Sequence, residues 1–432
     1  MPSVKITLIN TMDVQGGAAR AAHRLHKGLC AIGAESTYFV RDRRLEDPTV
    51  RQFIPDPKEV AVAYRKERKA DLKAAYDRYL DKRDPNIEQF SQERVDGDEN
   101  FFVQCPPADV INLHWVAGFL DYPLFFSPER TQSPIVWTLH DMNPFTGGCH
   151  YGLGCEKYSK QCGACPLLGS NQDNDLTRHI FESKQRIFDA WPSHMLHVVT
   201  PSRWLRDTSL SSTLFSKFES TCIPNSIETD IFQPADKIQA RAHLGLPVDA
   251  RIVLFMSHQV GLARKGFREL VHALSLMPDT DNLILLGIGD KADVPVSAPF
   301  RIIQIKYVSG DDQVALIYNA ADVTAVPSQQ DNLPNTMVES LSCGTPVVGF
   351  NVGGIPDLVK DGETGFLAPR GNIGALSAAF VEAFADTERL LRFGMQGRAL
   401  IEAVCAPDVQ AKAYMHLYEK VIGSAKIKNV RR

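Results

Sequence analysis

No run in this 432-residue chain approaches the roughly 20 consecutive apolar residues that a membrane-spanning helix needs. Its first ten residues, MPSVKITLIN, lack the basic start, long apolar centre and small-residue cleavage site of a secretory signal, so a cytoplasmic location is expected. Positive charge is not in excess either. The 47 Lys and Arg stand against 51 Asp and Glu, a formal net charge of -4, which argues against nucleic acid as a partner. The nine cysteines are odd in number, and in a reducing compartment they do not suggest a disulfide framework. With 44% hydrophobic and 23% charged residues the composition is that of an ordinary globular protein. Its length exceeds what one core usually serves, so two domains are expected.

Patterning supplies the organisation. Val4 to Ile9 is rich in strand formers, Gly16-Gly17 follow, and Ala22, Leu25, Leu29 and Ile32 then keep helical spacing until Gly33. Tyr38-Phe39-Val40 reads as the next strand. Strand, turn, helix and strand in that order predict a parallel pair with a helical crossover. Short apolar runs at 109–115, 134–140 and 197–201 continue this series. After 223–234, rich in Pro and Asn, a second series follows at 252–256, 283–287, 301–308, 323–327, 346–350 and 365–367. The expected fold class is α/β, with two Rossmann-like doubly wound domains over 1–222 and 223–405. Residues 406–432 are expected to form a helix packing back toward the first domain. The first domain carries an insert at about 57–104 and a Cys-rich loop at 147–168. Within the insert, 57–83 is charged and alanine-rich, with Val60, Tyr64, Leu72, Tyr76 and Leu80 along one side. It reads as a solvated helix covering the sheet. Its basic excess makes peripheral contact with an anionic membrane the other reading.

The chemistry concentrates at residues 326–348. A strand ends at Pro327, a polar loop carries Asp331, and a helix begins near Pro334-Asn335 with Glu339 one turn in. Two acids so placed can accept hydrogen bonds from hydroxyl-rich ligands. The helix start between them suits a phosphate. A ligand with a sugar, a diphosphate and a ribose would satisfy all of it.

This segment resembles family 4 of the glycosyltransferases, retaining enzymes of GT-B fold whose domains face a central cleft. Their signature of two acids separated by seven residues, followed by A-x-G-x-P-V-V, appears as Asp331, Glu339 and Ser342-Cys-Gly-Thr-Pro-Val-Val. The resemblance implies that Asp331 binds hydroxyls of the transferred sugar and Glu339 the ribose of the nucleotide. Asp331 stands where the family usually has Glu. Ser257 to Gly266 resembles the diphosphate loop and gives Lys265 the leaving pyrophosphate. Gln259 stands where an Arg is common, leaving Arg264 as the residue that could replace its charge. Gly16-Gly17 matches a glycine turn near the reaction centre, where backbone N–H groups approach a ligand closely. His140 matches a histidine beside the transferred sugar, although a strand-end histidine is as readily structural. His114 is read as structural. Leu333, Asn335 and Thr336 complete the donor-binding set. Bacterial enzymes that build surface polysaccharides are similar, which implies a UDP- or GDP-sugar donor and a glycan or lipid-linked acceptor at the membrane's inner face. It also implies no divalent metal for catalysis.

Cys149, Cys155, Cys162 and Cys165 fall within 17 residues as Cys-x5-Cys-x6-Cys-x2-Cys, with His150 as a spare ligand. Four thiolates around zinc would order this glycine-rich loop. Reduced thiols or a redox pair are the plain alternatives. The expected function is sugar transfer with retention. A nucleotide-sugar epimerase or hydrolase of the same fold, or a non-catalytic nucleotide-sugar-binding protein, stands as the alternative.

Overall fold

The first strand, β1 (Lys5–Met12), is buried along almost its whole length, the mark of a parallel strand covered on both faces. The structure, a computed structural model, describes residues 4–83, 90–95, 97–290, 298–306 and 308–430. They divide into two units, 1–223 with 410–432 and 224–409.

In the first unit β1 pairs with β2 (Glu35–Asp42), which pairs with β3 (Val50–Gln52). On its other side lie β4 (Val110–Leu113), β5 (Ile135–Thr138), β6 (Leu196–Thr200) and β7 (Glu219–Cys222). The order is β3-β2-β1-β4-β5-β6-β7, every pair parallel. One face buries Ile6, Leu8 and Val110 against Leu25 and Leu29 of the helix Gly17–Ala31 and Tyr414 and Tyr418 of the helix Pro407–Val430. The two tyrosine hydroxyls are satisfied inside this core. Asn112 donates to Tyr418 at 2.7 Å, and Thr138 lies 3.0 Å from Tyr414. The other face packs an aromatic cluster around Trp137, Phe126, Phe188 and Phe215.

The second unit repeats the design. Its strands are β8 (Arg251–Gln259), β9 (Leu283–Asp290), β10 (Arg301–Ile305), β11 (Val323–Val326), β12 (Val347–Phe350) and β13 (Gly365–Ala368). The order is β10-β9-β8-β11-β12-β13, again all parallel. Tyr307, at the end of the run expected over 301–308, lies outside the described residues. In each sheet the strand order reverses once, between β1 and β4 and between β8 and β11. Such reversal points leave a crevice beyond the carboxyl ends of the strands, where ligands of α/β sheets gather.

In the insert, the helix Glu59–Asp77 buries none of its residues. Val60 is 83% exposed and Tyr64 is 54% exposed, whereas half-buried Tyr76 stacks on Phe90 with ring centroids 5.7 Å apart. Two arginines anchor the helix as well. Arg65 pairs with Asp98 at 2.8 Å and Arg68 with Asp121 at 3.0 Å, both carboxylates being largely enclosed. The remainder of the insert at 84–89 and Asp96 lies outside the described residues.

Candidate active site

At the reversal point of the second sheet two loops meet. After β8 the chain forms a short turn, Ala263–Lys265, and then Gly266 at φ +75°. A Cβ on Gly266 would lie 1.9 Å from the carbonyl oxygen of Pro327, so only glycine lets this turn close on the end of β11. The amide of Gln329 donates to the Arg264 carbonyl at 2.7 Å and fastens the two loops. Lys265 Nζ then reaches Asp331 Oδ2 at 2.7 Å. Arg264 Nη1 lies 3.2 Å from the same oxygen and donates to the Gln330 carbonyl at 2.7 Å. Ser328 Oγ donates to Oδ2 at 3.2 Å, and the Asn332 amide to Oδ1 at 3.1 Å. Gly353, at φ +57°, supports the far side: a Cβ there would lie 1.7 Å from the Asp331 carbonyl oxygen.

Burial alone would push the Asp331 carboxyl up. Lys265 and Arg264, with the hydrogen bonds from Lys265 and Ser328, outweigh it and hold the group at about 2. The carboxylate is therefore charged throughout the physiological range. Lys265 is the more accessible cation, whereas the Arg264 guanidinium is buried. Gln259 is exposed at the end of β8, so no arginine comes from that position. Arg264, the residue expected to replace its charge, directs its guanidinium to Gln330 and Asp331.

Downstream, Leu333 is buried in the core, and Asn335 and Thr336 are half-buried in the first turn of the helix Asn335–Ser342. Pro334 precedes that helix with no side-chain cap on its amide groups. Such an end favours an anion. Glu339 is buried one turn in, its Oε2 accepting from the Tyr318 hydroxyl at 3.0 Å. Lys265, Arg264 and Asp331 thus form one cluster, followed along loop and helix by Leu333, Asn335, Thr336 and Glu339. Tyr318 and Ser328 belong to this arrangement and were not read from the sequence. Tyr318 is 21 residues before Glu339, on the helix Asp311–Ala320, and no local pattern links them.

In the first unit the reversal point gathers the ends of β1, β4 and β5. Gly16 and Gly17 are exposed at the start of the helix Gly17–Ala31, which has no side-chain cap. His140 follows β5 and His114 follows β4. The rings stack at 5.3 Å with His114 Nδ1 and His140 Nε2 3.0 Å apart. Burial pulls His140 down to about 4, more than Asp141 raises it, so its ring is neutral at pH 7. A neutral imidazole offers a hydrogen bond to a sugar hydroxyl without adding charge. His114 is buried, and its Nε2 has no hydrogen-bond partner among the described residues.

The Cys-rich loop packs beside this end. All four cysteines are free thiols. Burial pushes Cys149, Cys162 and Cys165 up, Cys162 to about 12, and the neighbouring thiols add to the rise. The amide of Gly147 donates to Cys162 Sγ at 3.3 Å. Among the described residues no group of three or more His, Cys, Asp or Glu is gathered so as to hold a metal ion. His150, the expected spare ligand, is committed elsewhere: it lies 2.6 Å from Asp141 and 2.9 Å from Ser91. Beneath the loop a wholly buried Lys184 donates to the Asn143 and Thr146 carbonyls, and burial lowers it to about 8.

Two parallel, doubly wound sheets of this construction define the GT-B class of folds, and the structural relatives agree. A sucrose-phosphate synthase from Thermosynechococcus elongatus superposes with a TM-score of 0.66 at 21% identity, covering 98% of this chain and all of that one. Anabaena Alr3699/HepE in complex with UDP and glucose gives 0.64 at 14% identity, covering 96% of this chain. Residues 250–386 match the family described as glycosyl transferases group 1. Among sequence relatives, a D-inositol 3-phosphate glycosyltransferase from Acidothermus cellulolyticus is 33% identical over 160 residues, 34% of this chain and 36% of its own length. One from Thermobispora bispora is 26% identical over 300 residues, 65% of this chain and 64% of its own length. The chain thus spans less than two thirds of these relatives. None of its described helices is long and apolar enough to cross a membrane.

Proposed function

We propose that the chain transfers a sugar from a nucleotide-sugar donor to a glycan or lipid-linked acceptor. One observation carries the reading: a buried aspartate paired with an accessible lysine, beside an uncapped helix start, at the reversal point of an α/β sheet. Breaking a sugar–phosphate bond builds positive charge on the sugar and negative charge on the diphosphate. Lys265 and the start of the helix Asn335–Ser342 stabilise the diphosphate electrostatically. Asp331 accepts hydroxyls of the sugar, Glu339 accepts those of the ribose, and a hydrogen bond between the neutral His140 ring and the sugar belongs to the proposal. Kinship with inositol-phosphate glycosyltransferases and with folds that bind UDP and glucose supports a UDP- or GDP-sugar. Retention of anomeric configuration belongs to the proposal, with the leaving phosphate taking the acceptor's proton, as does independence of divalent metal. So do a cytoplasmic location, contact of the basic helix Glu59–Asp77 with the membrane's inner face, and a structural zinc on the four loop cysteines.

The test is thermal-shift screening with UDP-, GDP- and ADP-sugars, followed by acceptor glycosylation with the donor that binds. A stabilising donor consumed with a glycosylated product is expected. Nucleotide release without any product would favour the hydrolase instead.

A further inference from the structure

A buried hydrogen-bond chain crosses the first unit and plays no part in the chemistry above. It starts in the insert. Phe90 bridges Cys149, the Ser91 amide donates to the Gly148 carbonyl at 2.9 Å, and Asn143 Nδ2 donates to the Ser91 carbonyl at 3.0 Å. Ser91 Oγ lies 2.9 Å from His150 Nε2. His150 Nδ1 lies 2.6 Å from Asp141 Oδ2, and the carboxylate makes that nitrogen the donor. Asp141 Oδ2 also accepts from Trp115 Nε1 at 2.9 Å, and Oδ1 from the Asn143 amide at 2.9 Å. The Trp115 amide donates to Asn10 Oδ1 at 2.7 Å, and its carbonyl accepts from the Thr11 amide at 2.8 Å. The line therefore runs from the insert past the carboxyl ends of β5, β4 and β1, up to the turn that carries Gly16 and Gly17.

Ser, His and Asp in this order would suit a nucleophile, but the surroundings do not. The Ser91 amide, which would help stabilise an oxyanion, is spent on Gly148. Ser91, His150 and Asp141 are all under 10% exposed. What the chain can do is fix orientation. Asp141 is covalently next to His140 and bonded to Trp115, so restraining Asp141 restrains both strand ends.

We propose that Ser91–His150–Asp141 is a positioning relay through which the insert holds His140, Trp115 and the glycine turn in place. Its kinetic consequence rests on the proposed transfer, while its structural consequence does not. The experiment compares His150→Leu, which cuts the relay, with His150→Asn, which retains an N–H for Asp141, in the full chain. Mass-spectrometric amide exchange should rise in His150→Leu over peptides spanning 10–17 and 113–118 and stay unchanged over 324–342. With a donor that turns over, kcat should fall roughly 10- to 100-fold, since small misplacements at a reacting centre cost that much. The donor KM should stay within about twofold, because Lys265, Asp331 and Glu339 lie in the other unit, and His150→Asn should recover most of the rate. An exchange increase confined to 141–150, or no recovery in His150→Asn, overturns the relay. Labelling of Ser91 by a fluorophosphonate probe overturns it in favour of a nucleophile. If the wild type transfers no sugar to any acceptor, the transfer reading fails and the exchange comparison still decides the relay. Should His150→Leu not fold, Ser91→Ala carries the same comparison with a smaller effect.

Discussion

Lys265 and Arg264 share one carboxylate, yet their removal should have opposite signatures. Asp331 is held at about 2 against an ordinary 3.8, roughly two units, or about 2.5 kcal/mol at 1.36 kcal/mol per unit. Lys265→Ala leaves Arg264 and Ser328 on the carboxylate, and Lys265 is 27% exposed, so its share is about 1 kcal/mol. In a unit of this size that is about 2–4 °C in Tm. Arg264→Ala strips a buried guanidinium from both Asp331 and the Gln330 carbonyl. A stranded buried carbonyl costs about 1–3 kcal/mol, so a total of about 2–4 kcal/mol and a Tm drop of about 5–10 °C are expected. Activity should reverse the ranking per unit of stability lost. Lys265→Ala should lower kcat roughly 10²- to 10³-fold, as loss of one group facing the developing charge does elsewhere. Calorimetry and donor turnover on both variants, at a temperature where both are folded, give the comparison. Wild-type kcat in Lys265→Ala would refute the reasoning. An unshifted Tm in Arg264→Ala with lost donor affinity would show Arg264 to be a phosphate ligand rather than a brace.

The Asp331 carboxyl is depressed in the folded state, so the stability it contributes is present above about pH 4 and lost as pH falls toward 2. The difference in Tm between wild type and Asp331→Asn should accordingly shrink between pH 4 and pH 2, and a constant difference would contradict the pairing. Tyr318→Phe removes one hydrogen bond from buried Glu339, about 1 kcal/mol, and should raise the donor KM roughly fivefold with kcat nearly unchanged; titration by thermal shift checks it. Metal analysis of protein purified without added zinc should find one zinc per chain, lost together with loop order in Cys162→Ser; no zinc and four titratable thiols would end that proposal.

Much of the fold was legible because parallel strands covered on both faces must be apolar along their length. β4, β5, β11 and β12 are buried at every position, and each was visible as a short apolar run. β3 and β7 were not read. Both are edge strands of a few polar, partly exposed residues, Val-Arg-Gln and Glu-Ser-Thr-Cys, which owe their conformation to a neighbour rather than to their own pattern. In the insert helix the apolar side was visible, whereas the ion pairs of Arg65 with Asp98 and Arg68 with Asp121 join residues far apart in sequence. At the candidate site, residues within one motif were legible and partners across the fold were not. Ser91 and His150 are 59 positions apart, and only folding makes them neighbours.

The substitution at Gln259 gains a physical meaning from the pair that follows it. On the proposed reading, the donor diphosphate must draw Lys265 away from Asp331 at the moment Asp331 turns to the sugar. A buried carboxylate abandoned by its only cation would be costly, by several kcal/mol. Arg264 removes that difficulty. Buried and tied to the Gln330 carbonyl, it keeps a positive charge on Asp331 whether or not Lys265 has moved. The accessible lysine is therefore free to follow the phosphate, while the enclosed arginine stays with the acid. An arginine at 259 would bring charge to the diphosphate but give Asp331 no such support. On that reading adjacent residues of like charge divide the work, Lys265 following the phosphate and Arg264 staying with the acid, while Gly266 lets their turn close on the end of β11.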